Sequence, residues 1–324
     1  MSDRVRRSNI RGIDVHTRKL RYFLAAADEL HFSRAAARVF LTQQGLSRQI
    51  KELEEELGVR LFERTTRTVT LTAAGAAFVE VARRIVDDLD VSVADVRRAD
   101  RALTGRIRLG FCAGAALELT GPILSSFRET YPEVTVDMRE FPQTDPSAGL
   151  ASGVTDIAII RLPQGTAKIE TEPLFVDPVI AAVADSHPLS AQSSATVAEL
   201  LEWPLTLSGT SDDVYRAFWG LVAARPPGVP GQFVPFSSVT EELALVAAGS
   251  AIAITSAAVP TYAPMKGVRY VEVTDWPGSI VALAWHTGER SPAVTRFVDN
   301  ACRVRDDHVD LVQHIENRRL AKSP

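Results

Sequence analysis

LTQQGLSRQIKELEEELG, residues 41–58, reads as one helix with two unlike ends. Its first third is neutral and rich in hydrogen-bonding side chains; its last third is a run of carboxylates separated by leucines. Thr42 is placed to cap the first turn. Leu46, Ile50, Leu53 and Leu57 recur at about 3.6 residues, and Gly58 is a natural stop. A helix that enters the major groove must present amides, hydroxyls and arginine near its N-terminus, because base edges carry paired donors and acceptors. Gln43, Gln44, Ser47 and Arg48 meet that need. The acidic end then points away from phosphates, with Leu53 and Leu57 locking it to the domain body. An ordinary capped surface helix carries the same residue types, so the neighbouring segments decide between the two readings.

Upstream, TRKLRYFLAAADEL (17–30) places Leu20, Phe23, Leu24 and Ala27 at helical spacing. HFSRAAARVF (31–40) predicts a short helix capped by Ser33 over Ala36, Ala37 and Phe40. Ser33 and Arg34 open that helix, where an N-terminus suits a phosphate. Downstream, VRLFERTTRTVTLT (59–72) predicts a two-stranded wing, with Arg64 and Arg67 at its tip reaching DNA backbone or minor groove. Thr72 then caps a long helix. Phe78, Val81, Ile85, Leu89, Val93, Val96 and Leu103 form an apolar stripe along it. A lone helix of this length cannot bury such a stripe, so a partner helix is expected, and with it a dimer.

From Arg106 the pattern changes to strands alternating with helices, which predicts an α/β body with largely parallel sheets. RIRLGF, VTVDMREF, TDIAII, VIAAVA, LTL, FVPF, AIAIT, RYVEV and SIVALAW read as strands. DPSAGLASG (145–153) reads as a short helix, and another runs from Ser291 to about Asp307. Residues 309–324 read as a short amphipathic helix and a polar tail.

Charge divides the chain in the same place. Residues 1–71 hold 14 Lys and Arg against 9 Asp and Glu, a balance of +5, whereas residues 72–324 balance to −9. A basic front end on an acidic body points to a polyanion met by the front alone. Two cysteines, Cys112 and Cys302, imply no disulfide framework and fit a cytoplasmic location. No run of about 18 apolar residues is present, so no membrane partner is expected. The first 16 residues read as a flexible basic tail without the apolar stretch of a secretory leader.

LRYFLAAADELHFSRAAARVFLTQQGLSRQIKELEEELGVRLFERTTRTVTLTAAG, residues 20–75, resembles the N-terminal domain of LysR-type transcriptional regulators. GRIRLGF, PILSSFRETYPEVTVDMRE, HPLS and LALVAAGSAIAIT resemble the rest of that family more weakly. The resemblance implies a winged helix-turn-helix over 17–72 and a linker helix over 73–104 that pairs two subunits. A two-lobed, periplasmic-binding-protein-like α/β effector domain would follow over 105–308. Lobe one would take 106–162 and 267–308, lobe two 163–266. The implied partners are double-stranded promoter DNA, a small-molecule effector in the cleft, RNA polymerase, and further copies of the chain as a dimer or tetramer. The implied DNA contacts are Ser33, Arg34, Thr42, Gln43, Ser47, Arg48, Arg64 and Arg67. Gln44 and Gly45 stand where the family has proline and then alanine or serine. Gln44 adds an amide that could read a base, and Gly45 adds about 1 kcal/mol of helix cost relative to alanine. The implied effector positions are Gly114, Ala115, Gln143, Thr144, Arg161, Ser237 and Ser238. Gly114 stands where a serine or threonine is common, and Pro142 shifts the next pattern. Amides and hydroxyls in these loops, with Arg161, point to a small carboxylate or an aromatic acid.

Other chemistry finds no support. The six histidines have no partners at metal-ligand spacing, and no cofactor is expected. GRIRLGFCAG lacks the lysine and spacing of a phosphate loop, and no G-x-S-x-G elbow occurs, so an enzyme is not expected. The rival readings are a solute-binding or enzymatic α/β protein with a helical front, and a regulator whose cleft is inert.

Overall fold

The computed structural model describes residues 15–64, 69–101, 105–114, 116–226, 228, 231–288 and 291–320. The expected basic tail lies outside them except for Val15 and His16, as do residues 321–324 of the C-terminal tail. The chain divides into two compact units, Met1–Ser92 and Val93–Pro324.

The first unit is built on α1 (Thr17–Glu29), α2 (Phe32–Arg38) and α3 (Gln43–Leu57). Their apolar stripes meet in one core of Leu20, Phe23, Phe32, Leu46, Ile50 and Leu53. Phe23 is wholly buried. Its ring lies 5.6 Å from Phe62 and 5.1 Å from Phe78, the offset aromatic spacing that adds to area burial. The wing strands β1 (Phe62–Arg64) and β2 (Val69–Leu71) pair antiparallel, Phe62 opposite Leu71. Their connection, with the expected tip residue Arg67, lies outside the described residues.

Two expectations for α2 are corrected. His31, not Ser33, is its N-cap, with Nδ1 accepting the Arg34 amide at 3.4 Å. Phe32 packs edge-on against Phe62 in the core, so the helix has already begun there and the cap falls one residue earlier. The helix also stops before Phe40, which takes a left-handed φ of 56° and leaves its ring 96% exposed.

The long helix α4 (Ala73–Arg101) starts as expected, with Thr72 Oγ1 accepting the Gly75 amide at 2.9 Å. Gly75 is required there, since a Cβ would stand 2.1 Å from the Leu61 carbonyl oxygen. Ala82 and Val86 join the first unit's core. One residue around the helix, Val81, Ile85, Leu89 and Val93 form an exposed row at intervals of four. The Val96 side chain and Leu103 lie outside the described residues.

The second unit runs β3 (Arg106–Phe111), α5 (Thr120–Thr130), β4 (Thr135–Glu140), β5 (Ile157–Leu162), β6 (Ile169–Asp177), β7 (Val179–Ala184) and β8 (Ser194–Ala195). It continues through α6 (Val197–Leu200), β9 (Leu205–Ser208), α7 (Asp213–Trp219), β10 (Phe233–Phe236), α8 (Val239–Ala247), β11 (Ala253–Ser256) and α9 (Val259–Tyr262). It closes with β12 (Val268–Val273), β13 (Ser279–His286), α10 (Pro292–Asp307) and α11 (Val309–Glu316). The first sheet has the order β4-β3-β5-β13-β6 and the second β11-β7-β12-β8. The β9–β10 pair adjoins the second sheet through a Leu205–Ile252 bridge.

The sheets are mixed rather than largely parallel. β3 runs parallel to β4 and β5, but β13 runs antiparallel to β5 and β6, and β7 antiparallel to β11 and β12. The division between lobes also differs from the expected one. β6, placed by sequence in lobe two, pairs with β13 in the first sheet; β12, placed in lobe one, pairs with β7 in the second. The strand β6 was not legible because Pro173 and its acids break the apolar alternation. The structure accommodates Pro173 beside a bulge opposite Val281 and Ala282, where a missing amide does little harm. The expected helix over 145–153 is a series of turns. Asp145 accepts from the Ser147 hydroxyl and the Gly149 amide, and Ala148 and Gly149 take positive φ, so side chain-to-backbone bonds replace the helical ladder.

Phe23→Ala will destabilise the first unit by about 3–5 kcal/mol. In urea, the far-UV dichroism transition will move to lower concentration while tryptophan fluorescence holds, since Trp203, Trp219, Trp276 and Trp285 all lie in the second unit.

Candidate functional site

Two candidate sites emerge, one in each unit. On α3, burial of Leu46, Ile50 and Leu53 turns the opposite face outward. Thr42, Gln43, Gln44 and Arg48 are exposed and Ser47 is half-buried, all at the N-terminal end. Thr42 caps the helix, its hydroxyl accepting the Gly45 amide at 3.1 Å. Ser33, on α2, donates to Gln43 Oε1 at 3.2 Å, so the two helix openings share one polar surface. Arg34 is exposed and held by Glu29 at 3.1 Å. The Arg48 side chain is 75% exposed, with Glu52 3.7 Å away. Arg64 ends β1; Arg67 lies outside the described residues.

The acids of α3 have partners that sequence reasoning missed. Glu56 and Glu52 pair with Lys19 of α1 at 2.6 and 3.3 Å. The Glu56 hydrogen bond raises the Lys19 ammonium above its ordinary value. Glu54 accepts the Leu61 and Phe62 amides at 2.8 and 3.1 Å, which anchors the start of the wing. Glu52, Glu54 and Glu56 thus attach α3 to its supports. The signal was Lys19, two helices earlier.

In the second unit, Gln143 and Arg161 meet residues from α7, α8, β9 and α9 around a cavity of about 30 Å³. That volume holds little more than a water molecule. Gln143 spans the two lobes. Its carbonyl accepts from the Ser208 hydroxyl at 2.6 Å, its amide donates to the Ser237 carbonyl at 3.0 Å, and Tyr215 Oη donates to its Oε1 at 3.0 Å. Arg161 meets Asp177 at 2.8 Å, and Asp177 is fully buried. The Ser256 hydroxyl donates to the same Asp177 oxygen. Burial opposes the Arg161 charge, but Asp177 outweighs it and the guanidinium is held above its ordinary value.

The other expected effector residues fare differently. Gly114 takes a φ of 89°, and a Cβ there would stand 2.9 Å from the Tyr262 ring. The ring of Tyr262, a cavity residue, therefore fills the space a larger residue would need. Ala115 lies outside the described residues. Thr144 is half-buried and does not line the cavity. Ser237 and Ser238 are exposed and engaged with α8: Ser237 donates to Glu241 at 2.6 Å and Ser238 accepts the Glu241 amide at 3.2 Å.

Glu242 was missed. It lines the cavity, 4% exposed, and its Oε1 accepts the Thr206 hydroxyl at 2.8 Å. Burial pushes its carboxyl up to about 8. A signal existed in the sequence: Glu242 interrupts the buried Val239–Val246 stripe of α8, where a lone carboxylate needs a reason. Burial also raises the Tyr215 and Tyr262 hydroxyls and pushes the Cys112 thiol up to about 12, which leaves Cys112 without thiolate character at neutral pH. Among the described residues no helix is long and apolar enough to cross a membrane.

Residues 17–76 match the bacterial regulatory helix-turn-helix model of the lysR family, and residues 100–303 match the LysR substrate binding domain. The uncharacterized HTH-type transcriptional regulator YnfL of Escherichia coli is 31% identical over 301 residues, 88% of this chain and 97% of its own. The HTH-type transcriptional regulator TfdS of Cupriavidus pinatubonensis is 31% identical over 288 residues, again 88% and 97%. The crystal structure of full-length BenM aligns with a TM-score of 0.51 at 25% identity, over 91% of this chain and 98% of that one.

Glu242→Gln tests the buried acid. A carboxyl raised in the folded state favours folding only while protonated, so its contribution is present below the unfolded value of about 4.5 and lost as pH rises through 8. Stability of the native chain will therefore carry a component falling by about 1.4 kcal/mol per pH unit across that window. The variant will lack it and gain relative stability towards pH 8, as read by urea titrations at several pH values.

Proposed function

The chain belongs to the LysR family of transcriptional regulators, ligand-responsive DNA-binding proteins rather than enzymes, and from that premise we propose how its parts divide the work. The N-terminal end of α3 reads base edges in the major groove through Gln43, Gln44, Ser47 and Arg48. Ser33, Arg34 and Thr42 position it on the phosphates, and the wing arginines Arg64 and Arg67 hold the flanking backbone. One observation carries this reading: the polar end of α3 is exposed while its acidic end is engaged by Lys19 and the wing.

The exposed row Val81, Ile85, Leu89 and Val93 is the face on which a second copy pairs, and multimers of the chain follow. The linker helix spans 73–104 in this reading. Lobe one takes 105–177 and 279–308, and lobe two 178–278. The cleft between them, lined by Gln143 and Arg161, holds a small organic acid. At its present size the cavity cannot admit one, so binding parts the lobes and breaks the Gln143 bridge. The effector acts by preferring one of the two arrangements. Promoter DNA brings RNA polymerase within reach as a partner, and places the protein in the cytoplasm.

Arg48→Ala will lose about 1–3 kcal/mol of discrimination between operator and random duplex, whereas Arg67→Ala will weaken both alike and lower the salt slope by about one. Equal losses on both duplexes for both variants, in gel shifts at two salt concentrations, would remove these roles. Leu89→Asp will shift the sedimenting species towards monomer, because it sets a charge in the apolar row. An unchanged sedimentation coefficient removes that row from the interface.

A further inference from the structure

We propose that the effector of this cleft is a small zwitterion, its carboxylate met by Arg161 and Trp219 and its ammonium by Glu242. The proposal deepens the effector reading above and rests on it.

The donor side is incomplete. Arg161 Nη2 is engaged by Asp177 and Ser256, but Nη1 is shut from solvent with no hydrogen-bond partner. Trp219 lines the same cavity, and its Nε1 is likewise buried without a partner. Native interiors leave few such donors, and two on one cavity mark the place of a missing acceptor.

The acceptor side is Glu242. Thr206 takes one of its oxygens, and no cation among the described residues acts on it. The ionisable groups that face it are the hydroxyls of Tyr215 on α7, Tyr262 on α9 and Tyr270 on β12. A role confined to bolting α8 to β9 through Thr206 would be served as well by glutamine, without a buried acid.

The matching of partners selects among ligands. Arg161 and Asp177 cancel, so the cavity with Glu242 protonated is neutral. A bare carboxylate would fill both donors but leave Glu242 without a cation, and a bare amine would leave both donors unfilled. A zwitterion satisfies both ends, and the apolar walls of Phe236, Val239 and Ile254 suit the carbons between them. The ammonium can pair only with an ionised carboxylate. Binding therefore expels the Glu242 proton to the buffer.

Calorimetry on the full-length protein at pH 7, in phosphate and in Tris, separates the outcomes. The probes are three matched pairs: 4-aminobutyrate with butyrate, phenylalanine with 3-phenylpropionate, and 4-(aminomethyl)benzoate with 4-methylbenzoate. At least one amino compound is expected to bind about tenfold or more tighter than its deaminated partner. Close to one proton should leave per ligand bound. Glu242→Gln should lose both the preference and the proton while still binding the deaminated acid. Thr206→Val, which removes the bolt and keeps the acid, should retain both. Deaminated acids that bind as tightly as their partners, or proton release that survives in Glu242→Gln, overturn the zwitterion and leave the cleft reading standing. Silence from all six compounds overturns both.

Discussion

A guanidinium enclosed by protein must be met by a carboxylate, and the second unit is arranged around that requirement. Arg161 leaves the end of β5 in the first sheet; Asp177 ends β6, where the chain crosses to the second sheet; Ser256 ends β11 in the second sheet. Removing one partner of such a group leaves a stranded charge whose cost is about 3–5 kcal/mol. The triad therefore ties the two sheets at their crossing and fixes the floor of the cleft. Everything placed around that floor acts in a medium that penalises net charge. That is why Glu242 holds its proton there and why Tyr215 and Tyr262 resist ionisation.

The first unit solves a different problem with exposed groups. Its three helices are short, so their stability comes from one aromatic and aliphatic core rather than from helix propensity. The helix α3 keeps most of its N-terminal side chains exposed and is secured from the other end. Glu52, Glu54 and Glu56 do this against Lys19 and the wing backbone. Ion pairs at the surface, such as Lys19–Glu56 with its half-buried lysine, contribute little energy each. Glu54 contributes more, because two backbone amides that would lack partners at the wing's start both find one.

Legibility followed the range of the interaction. The α3 cap at Thr42, the stop at Gly58 and the start of α4 at Thr72 are local, and spacing alone predicts them. The α2 cap was misplaced because the core contact of Phe32 decides which residue opens the helix. β6 was hidden because its partner β13 lies about a hundred residues away and supplies the bulge that tolerates Pro173. The lobes exchange β6 and β12 relative to the expected division for the same reason: strand pairing, not chain order, assigns a strand to its sheet. Of the expected effector residues, Gln143 and Arg161 reach the cavity, while Ser237 and Ser238 are engaged as α8 caps.

What the chain's order of residues determined by itself is the class of protein and the capped helix α3 with its polar start, because periodicity, capping and short polar runs act within a few residues. Which buried groups lack partners was decided only by the tertiary structure. The indole nitrogen of Trp219 and the unpaired nitrogen of Arg161 come from distant segments, and a donor is left unanswered only once the rest of the fold has closed around it.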